Sequence, residues 1–240
     1  MKKKAITKVL LVITALFTVV STAYAAVWSS SERYGNWQDN GYIVYNNVWG
    51  SGAGYQSIWA NSYSNWGVWA DHPNTGGIKS YPNVTKDVNA RLSQLSSVNS
   101  SFNVTVPNGG SYVTAYDIWL GNYAYEIMLW MNHRGEVKPI SYNWDAYGNP
   151  IPVVTNVNVG GHTWDVYRGT NGSNEVFSFV RSSNTNSGNV DTLSIMNWIK
   201  NRGWYGDEVV DRVQLGFEIT SSSGGMDFRM NNFSTTVNYR

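Results

Sequence analysis

The chain contains no cysteine, so no disulfide bond can stabilise its fold. Histidine is also rare, and His72, His133 and His162 lack the spacing of metal ligands such as His-x-x-x-His. No Gly-x-Ser-x-Gly motif is present, which leaves Ser-His-Asp catalysis without support. We therefore expect a fold held together by packing alone, and a function that needs neither a metal nor a cofactor.

Only one apolar run is long, and it lies at the start of the sequence. Residues 9–20 are mostly apolar, three lysines precede them, and a small-x-small cleavage pattern follows at residues 23–25. This run is shorter than the roughly 20 residues that a membrane-spanning helix needs. We predict that residues 1–25 are a secretory signal peptide. Residues 26–240 would then be a secreted, extracellular protein with no membrane partner.

Positive charge is scarce in the predicted mature chain. Four of the 17 Lys and Arg residues fall in the signal peptide, leaving 13 against 16 Asp and Glu, a net charge of about −3. Binding to the phosphate backbone calls for a surplus of positive charge, so we expect no nucleic-acid partner. The remaining roughly 215 residues fit one domain. No repeat or Pro/Ser-rich linker divides them, and we expect the protein to act as a monomer.

Aromatic residues are abundant, with 12 Trp and 16 Tyr against only 14% charged residues. Flat rings stack on the apolar faces of sugars while amides and hydroxyls bond the sugar hydroxyl groups, so this balance is typical of exported β-proteins that handle carbohydrate. The alternative is that most of these rings simply fill the core. Composition alone leaves both interpretations open.

Short apolar or alternating runs recur after residue 41 between clusters of Gly, Asn, Ser and Pro. This pattern is typical of an antiparallel sandwich or barrel. The predicted strands include residues 42–48, 102–106, 113–119, 123–130, 163–167, 176–180, 213–219 and 233–239. The prediction is a single all-β domain over residues 26–240.

One segment has a different period. Residues 190–202 place apolar side chains at helical spacing, with Asn189 as the predicted N-cap and Gly203 as the predicted stop. We therefore predict one helix packed on the β-sandwich.

Two glutamates interrupt otherwise apolar strands. A period of two puts Glu126, Met128 and Trp130 on one face of the first strand, and Gln214 and Glu218 on one face of the second. An acidic side chain is rarely buried without a partner, so each face must be solvent or a polar cleft. The other four glutamates lie in turn-like or terminal stretches, where a solvated charge is the simplest interpretation.

A third acid, Asp117, shares a strand face with Trp119. If that strand pairs with the Glu126 strand, the two carboxyl groups approach each other and cannot ionise independently. The alternative is that backbone amides at a strand end satisfy Asp117. Both interpretations are consistent with the spacing.

Two carboxyl groups are enough to hydrolyse a glycosidic bond. One protonates the leaving oxygen, and the other attacks the anomeric carbon or activates water. Glu126 and Glu218 fit this requirement as residue types, although two unrelated glutamates on polar faces would give the same pattern. Sequence separation alone does not fix the distance between them.

Further motifs occur in order along the chain. They are Asn40-Gly41-Tyr42, Asn46-Asn47-Val48-Trp49-Gly50, Lys79-Ser80-Tyr81, Ala115-Tyr116-Asp117, Tyr125-Glu126-Ile127-Met128-Leu129-Trp130, Pro139-Ile140, Val157-Asn158-Val159-Gly160-Gly161 with Trp164, and Gln214-Leu215-Gly216-Phe217-Glu218. In this order they resemble glycoside hydrolase family 12 over nearly the whole predicted mature chain.

The resemblance implies a β-jelly roll of two curved antiparallel sheets, whose concave sheet binds a β-1,4-glucan chain. It implies an endo-acting, retaining cellulase or xyloglucanase that degrades plant cell-wall polysaccharide. Glu126 would be the nucleophile, Glu218 the general acid/base, and Asp117 the residue that orients the nucleophile. The resemblance also implies substrate-binding roles for Asn47, Trp49, Met128, Trp130 and Pro139.

The sequence departs from the family pattern in two places. Phe217 and Ile219 flank Glu218 where a common version in fungal members has Thr and Pro, and residues 141–155 form a longer segment than in compact relatives. We expect these differences to affect the choice among cellulose, mixed-linkage glucan and xyloglucan rather than the reaction class. The rival functions are a non-catalytic carbohydrate-binding sandwich and, with less support, an adhesive surface protein.

Overall fold

The structure is a computed structural model that describes residues 25–240. The predicted signal peptide therefore lies, apart from its last residue, outside the described residues and stays a prediction. Within the described range, no helix has the length and apolar character needed to cross a membrane.

The described chain forms two large β-sheets and one α-helix. The strands are β1 (Trp28–Ser30), β2 (Asn36–Asp39), β3 (Tyr42–Tyr45), β4 (Tyr55–Ser62), β5 (Asn65–Asp71), β6 (Asn83–Arg91), β7 (Leu95–Thr105), β8 (Ser111–Leu120), β9 (Tyr125–Arg134), β10 (Val154–Val159), β11 (His162–Thr170), β12 (Glu175–Arg181), β13 (Ser187–Asp191), β14 (Val209–Ser221) and β15 (Met226–Tyr239). A 3₁₀ helix spans Leu92–Gln94, and the α-helix α1 spans Thr192–Asn201.

The smaller sheet has six strands in the order β1-β4-β5-β15-β7-β13, and the larger has nine in the order β10-β11-β12-β9-β8-β14-β6-β3-β2. Alternation along β14 shows how the sheets pack. Val213, Leu215, Phe217 and Ile219 are fully buried in the core between the sheets, whereas Glu218 faces the other way. The predicted all-β sandwich with one helix is confirmed.

The helix begins and ends close to its predicted limits. Its N-cap is Asp191, whose side chain accepts a hydrogen bond from the Ser194 backbone N–H at 3.0 Å. The predicted cap, Asn189, is wrong because that residue pairs with Ser101 as part of β13. Gly203 does follow the helix, with a φ of +71° that favours glycine, and its N–H donates to the Lys200 carbonyl.

One pair of neighbouring strands runs parallel in a sheet that is otherwise antiparallel. β12 pairs with β9 so that Glu175 lies opposite Tyr125 and Val176 opposite Glu126. The loop between β11 and β12 therefore lies beside the start of β9. A residue of this loop can therefore reach Glu126.

The last two strands lie in the interior of the two sheets. β14 pairs with β6 on one side and β8 on the other, and β15 pairs with β5 and β7 in the same way. Neither sheet is continuous without the strand that the final part of the chain provides.

Candidate active site

The face of the nine-stranded sheet that points away from the core carries a cavity of about 340 Å³, called the cleft below. Its lining residues are Asn47, Trp49, Ile78, Tyr81, Asp117, Trp119, Glu126, Met128, Trp130, Lys138, Ile140, Asn171, Gln214 and Glu218. A larger cavity of about 560 Å³ lies elsewhere, but Asp191 is its only acidic lining residue. The cleft alone brings several acids together among the described cavities.

Two central strands supply the first pair of acids. β8 and β9 are neighbours, with Trp119 opposite Glu126 and Asp117 opposite Met128. The Asp117 strand thus pairs with the Glu126 strand, which was the condition for their carboxyl groups to approach each other. Alternation along β9 also holds, since Glu126, Met128 and Trp130 all line the cleft.

Glu218 approaches from the other side of β8. On β14, Gln214 lies opposite Asp117 and Glu218 lies opposite Val113. The β8 residues opposite the two glutamates are Val113 and Trp119, which lie six positions apart. In a flat sheet this spacing would separate them by about 20 Å. Glu126 and Glu218 nevertheless line one cavity, and the negative charge of Glu126 acts on Glu218. The sheet must therefore curve or twist strongly to bring both glutamates into one cavity.

Burial in this cleft shifts the acidity of both glutamates. Desolvation raises the pKa of Glu126 from 4.5 to about 7. Desolvation and the charge of Glu126 together raise the pKa of Glu218 from 4.5 to about 8. Glu126 therefore ionises first, and its charge helps Glu218 to keep its proton.

Asp117 is the third acid of the cleft, and its pKa is also raised. Burial is the largest cause, and the charges of Glu126 and Glu218 add to it, so its pKa lies well above 3.8. Its Oδ1 atom is buried without a hydrogen-bond partner in the described residues. The nearby Trp119 side chain acts in the opposite direction and lowers this pKa. Satisfaction by backbone amides, the alternative drawn from sequence, finds no support in these contacts.

A network of amides and hydroxyls holds the floor of the cleft. The Trp119 indole N–H donates to Gln214 Oε1 at 3.0 Å, besides lying near Asp117. The Gln214 amide donates in turn to Thr85 Oγ1 at 2.8 Å and to Asn83 Oδ1 at 3.2 Å. These bonds fix side chains on three neighbouring strands, and they keep the floor rigid beneath the acids.

Asn171 is a cleft residue that sequence reasoning missed. Its Nδ2 donates to Glu126 Oε2 at 3.2 Å, while its Oδ1 accepts from the backbone N–H groups of Ser173 and Asn174, both at 2.9 Å. The two accepted bonds fix the amide so that its nitrogen points at the carboxylate. In the sequence this segment reads only as a turn, and the parallel pairing of β9 with β12 is what brings it to Glu126.

Asn47 and Trp49 both line the cleft, as predicted, but not because of strand alternation. β3 ends at Tyr45, and Asn47 has a φ of +44°, outside the strand region. Its side-chain amide donates to the Tyr81 carbonyl at 3.1 Å. The predicted strand over residues 42–48 is therefore too long, and a turn residue held by Tyr81 sets this wall of the cleft.

Pro139 does not line the cleft, unlike Met128 and Trp130. It is buried between Lys138 and Ile140, which do. Lys138 was also missed from sequence; its Nζ donates to the Gly148 carbonyl at 2.6 Å and so ties the 141–150 loop to the rim. No group of three or more His, Asp or Glu within residues 25–240 is placed to hold a metal ion.

Comparison with known proteins assigns the family. The model of glycosyl hydrolase family 12 matches residues 40–238. The chain belongs to glycosyl hydrolase family 12. The resemblance read from the ordered motifs is thereby confirmed, and a non-catalytic binding sandwich is not favoured.

Several family 12 proteins are similar over almost their full length. The xyloglucan-specific endo-beta-1,4-glucanase A of Emericella nidulans is 32% identical over 213 residues, which cover 81% of this chain and 86% of that protein. The xyloglucanase domain of NopAA, a type three effector from Sinorhizobium fredii solved with cellobiose, is 47% identical with a TM-score of 0.87, covering 89% of this chain and all of that domain. A native family 12 xyloglucanase from Bacillus licheniformis is 28% identical, covers 88% of this chain and 100% of its own, and has a TM-score of 0.73.

Proposed function

We propose that this family 12 hydrolase is an endo-acting, retaining β-1,4-glucanase. The observation that carries the proposal is the pair Glu126 and Glu218, which line one cleft and have pKa values raised to about 7 and about 8. Between these two pKa values Glu126 is mostly ionised while Glu218 is still mostly protonated. A nucleophile and an acid are the two groups that a retaining glycosidase requires.

In the first step, the ionised Glu126 attacks the anomeric carbon and forms a covalent glycosyl ester. The bond to the leaving sugar breaks, and Glu218 gives its proton to the departing oxygen. Glu126 loses its negative charge when the ester forms, which removes the charge that raised the pKa of Glu218. Glu218 is then left as a carboxylate.

In the second step, Glu218 takes a proton from water as the water oxygen attacks the anomeric carbon. The ester bond breaks, Glu126 is restored as a carboxylate, and Glu218 is protonated again. Both glutamates therefore return to their starting states. The reaction needs no metal or cofactor, because the two carboxyl groups supply every proton transfer.

Asp117 is proposed to orient the nucleophile from the neighbouring strand. Burial, together with the charges of Glu126 and Glu218, raises the pKa of its carboxyl well above 3.8, which favours the protonated form that can donate an O–H to Glu126. Asn171 is proposed to hold Glu126 Oε2, which leaves Oε1 free to attack.

The sugar platform is proposed to be formed by Asn47 and Trp49 at one wall, and by Met128 and Trp130 beside Glu126. Trp49 is half exposed and offers its ring to a sugar face. Pro139 is proposed to support the rim through its two lining neighbours rather than to touch the substrate.

Xyloglucan is the first substrate to test, because the Emericella and Bacillus relatives are named for it. Cellulose and mixed-linkage β-glucan are the alternatives. The 141–155 segment, tied to the cleft rim through Lys138, is the part of the chain placed to admit or exclude side-chain sugars. Parallel kinetics on xyloglucan, barley β-glucan and carboxymethyl cellulose would rank the three polymers.

NMR of the earliest product tests the stereochemistry. A β-linked glucan cut with retention gives an initial β-anomer, whereas direct displacement by water gives the α-anomer. Glu126→Gln should fold like the wild type and lose nearly all turnover. Initial α product would refute the nucleophile assignment, and an active Glu126→Gln variant would do the same.

We further propose that residues 26–240 form a single catalytic domain that is exported, released from a signal peptide and active as a monomer. The apolar segment at residues 9–20 supports export. Amino-terminal sequencing of protein recovered from the culture medium should find Ala26 first. Size-exclusion chromatography should give one species of about the mass of a single mature chain.

A further inference from the structure

The outer face of the six-stranded sheet, on the side of the sandwich opposite the cleft, carries exposed aromatic rings. Tyr55 and Trp69 are 57% and 39% exposed, and their ring centroids lie 6.0 Å apart. Trp59 points to the same face of β4 as Tyr55, because the two are four residues apart on one strand. These three rings are called the outer aromatic surface below.

Two of the rings lie on glycines. A Cβ added to Gly67 would come within 2.9 Å of the Trp59 ring, and one added to Gly225 would come within 2.2 Å of Trp69. Both indoles therefore lie over bare backbone, with Trp69 exposed and Trp59 partly exposed. An aromatic ring that lies along the surface in this way is available for stacking on a sugar.

Three charged residues lie beside the rings on this face: Asp71 is opposite Tyr55, Asp227 is opposite Trp69, and Arg229 is opposite Gly67. Together they give no surplus of positive charge. A cavity of about 480 Å³ lies between β1 and β4, and its lining consists of Tyr55, Trp59, Ile58, Ser57 and three serines, at residues 29–31. No Lys, Arg, Asp or Glu lines it. Hydroxyl groups beside flat rings match a neutral polyhydroxylated chain, whereas a nucleic acid or an acidic polymer would call for positive charge.

We propose that the outer aromatic surface is a second glucan-binding site, separate from the cleft. Its ligand would be a neutral β-glucan, stacked on Tyr55, Trp59 and Trp69 and bonded by the serine hydroxyls. The choice of glucan rests on the proposed function. The site would hold the enzyme on a polymer that is much longer than the cleft, and so raise the local concentration of cleavable bonds.

Native gel electrophoresis in gels containing xyloglucan or barley β-glucan tests the site. Every protein carries Glu126→Gln, so that the polymer stays intact and binding in the cleft is equal in all of them. Adding Tyr55→Ala and Trp69→Ala should weaken retention about two- to tenfold, the range expected for lost aromatic contacts. Trp69→Phe, which keeps a ring, should retain more binding than Trp69→Ala.

Two further variants separate binding from folding. Tyr239→Ala removes a ring that is 59% exposed at the end of β15 and should leave retention unchanged. Ser57→Arg keeps both glycines covered but fills the space between Tyr55 and Trp59, and it should weaken retention even if the alanine variants fold poorly.

With Glu126 restored, all these variants should cut a short cello-oligosaccharide at the wild-type rate. If Ser57→Arg in the Glu126→Gln background is retained as strongly as Glu126→Gln alone, the second site is refuted. The rings would then serve only to pack over Gly67 and Gly225. A wild type that cuts no glucan would instead overturn the proposed function, whatever the gels show.

Discussion

The chemistry depends on how the cleft treats three identical functional groups differently. Glu126 has a pKa raised to about 7 by burial alone, and Glu218 has a pKa raised to about 8 because the charge of Glu126 adds to burial. Burial and the charges of both glutamates raise the pKa of Asp117 well above its ordinary value. In the proposed mechanism, position in the cleft rather than residue type decides which acid attacks and which donates.

The pH dependence of kcat/KM should follow from this order. Activity requires ionised Glu126 and protonated Glu218, so the acid limb should follow the first and the basic limb the second. We expect a narrow bell with its maximum between about 7 and 8. Initial rates on a soluble glucan from pH 4 to 10 would measure it. A plateau that extends below pH 5 would contradict the raised pKa of Glu126.

Removing the Asn171 amide should change the same profile. Asn171→Ala takes away a donor to the Glu126 carboxylate, which favours the protonated form and moves the acid limb to higher pH. We expect kcat/KM to fall roughly 10- to 100-fold, as for loss of a hydrogen bond to a charged group. Ser173→Ala in the same turn is the control, since only its backbone N–H is used. An unmoved acid limb would remove Asn171 from the mechanism.

Most of the cleft residues that the sequence predicted lie on regular strands. Alternation along β8, β9 and β14 predicted Asp117, Met128, Trp130 and the two glutamates, because a regular strand fixes which side chains share a face. The remaining cleft residues depend on tertiary features that have no local pattern. Asn171 needed the parallel pairing of β9 with β12, and Lys138 lies in a loop.

Gly216, on β14, packs closely against the chain where β6 begins. A Cβ there would meet the Pro82 carbonyl oxygen at 2.1 Å and the Asn83 side chain at 2.7 Å. Gly216→Ala should therefore push β14 outward, displace Glu218 and cost about 1–3 kcal/mol of unfolding free energy, measured in urea. Gly206→Ala, whose added Cβ meets nothing closer than 3.6 Å, is the control. Equal stability of the two variants would refute the close packing.

At the scale of the molecule, the buried acids make stability fall as pH rises. Glu218 has a folded-state pKa of about 8, above the ordinary 4.5, so the folded protein binds more protons than the unfolded chain between these values. Its contribution is therefore greatest below about 4.5 and is lost as pH rises toward 8.

Glu218→Gln has no carboxyl group to ionise, so it should not lose stability in this way as pH rises. Its Tm should exceed that of the wild type by a few degrees at pH 8 and differ little at pH 4.5, as measured by calorimetry. Glu136→Gln, at an exposed loop position, should track the wild type at both values. The same Tm difference at both pH values would show that the Glu218 titration is not its cause.

The positions of β14 and β15 also affect when the protein can fold during its synthesis. Each of these strands pairs on both sides with strands that come earlier in the chain. The ribosome therefore synthesises the central strand of each sheet last. Such distant pairings slow folding, and a nascent chain would stay unfolded until it is nearly complete. That delay would suit the exported protein proposed above, which would cross a membrane before it folds. It would also mean that Glu218 joins Glu126 only when the larger sheet closes, so that the proposed catalytic pair is among the last parts of the site to form.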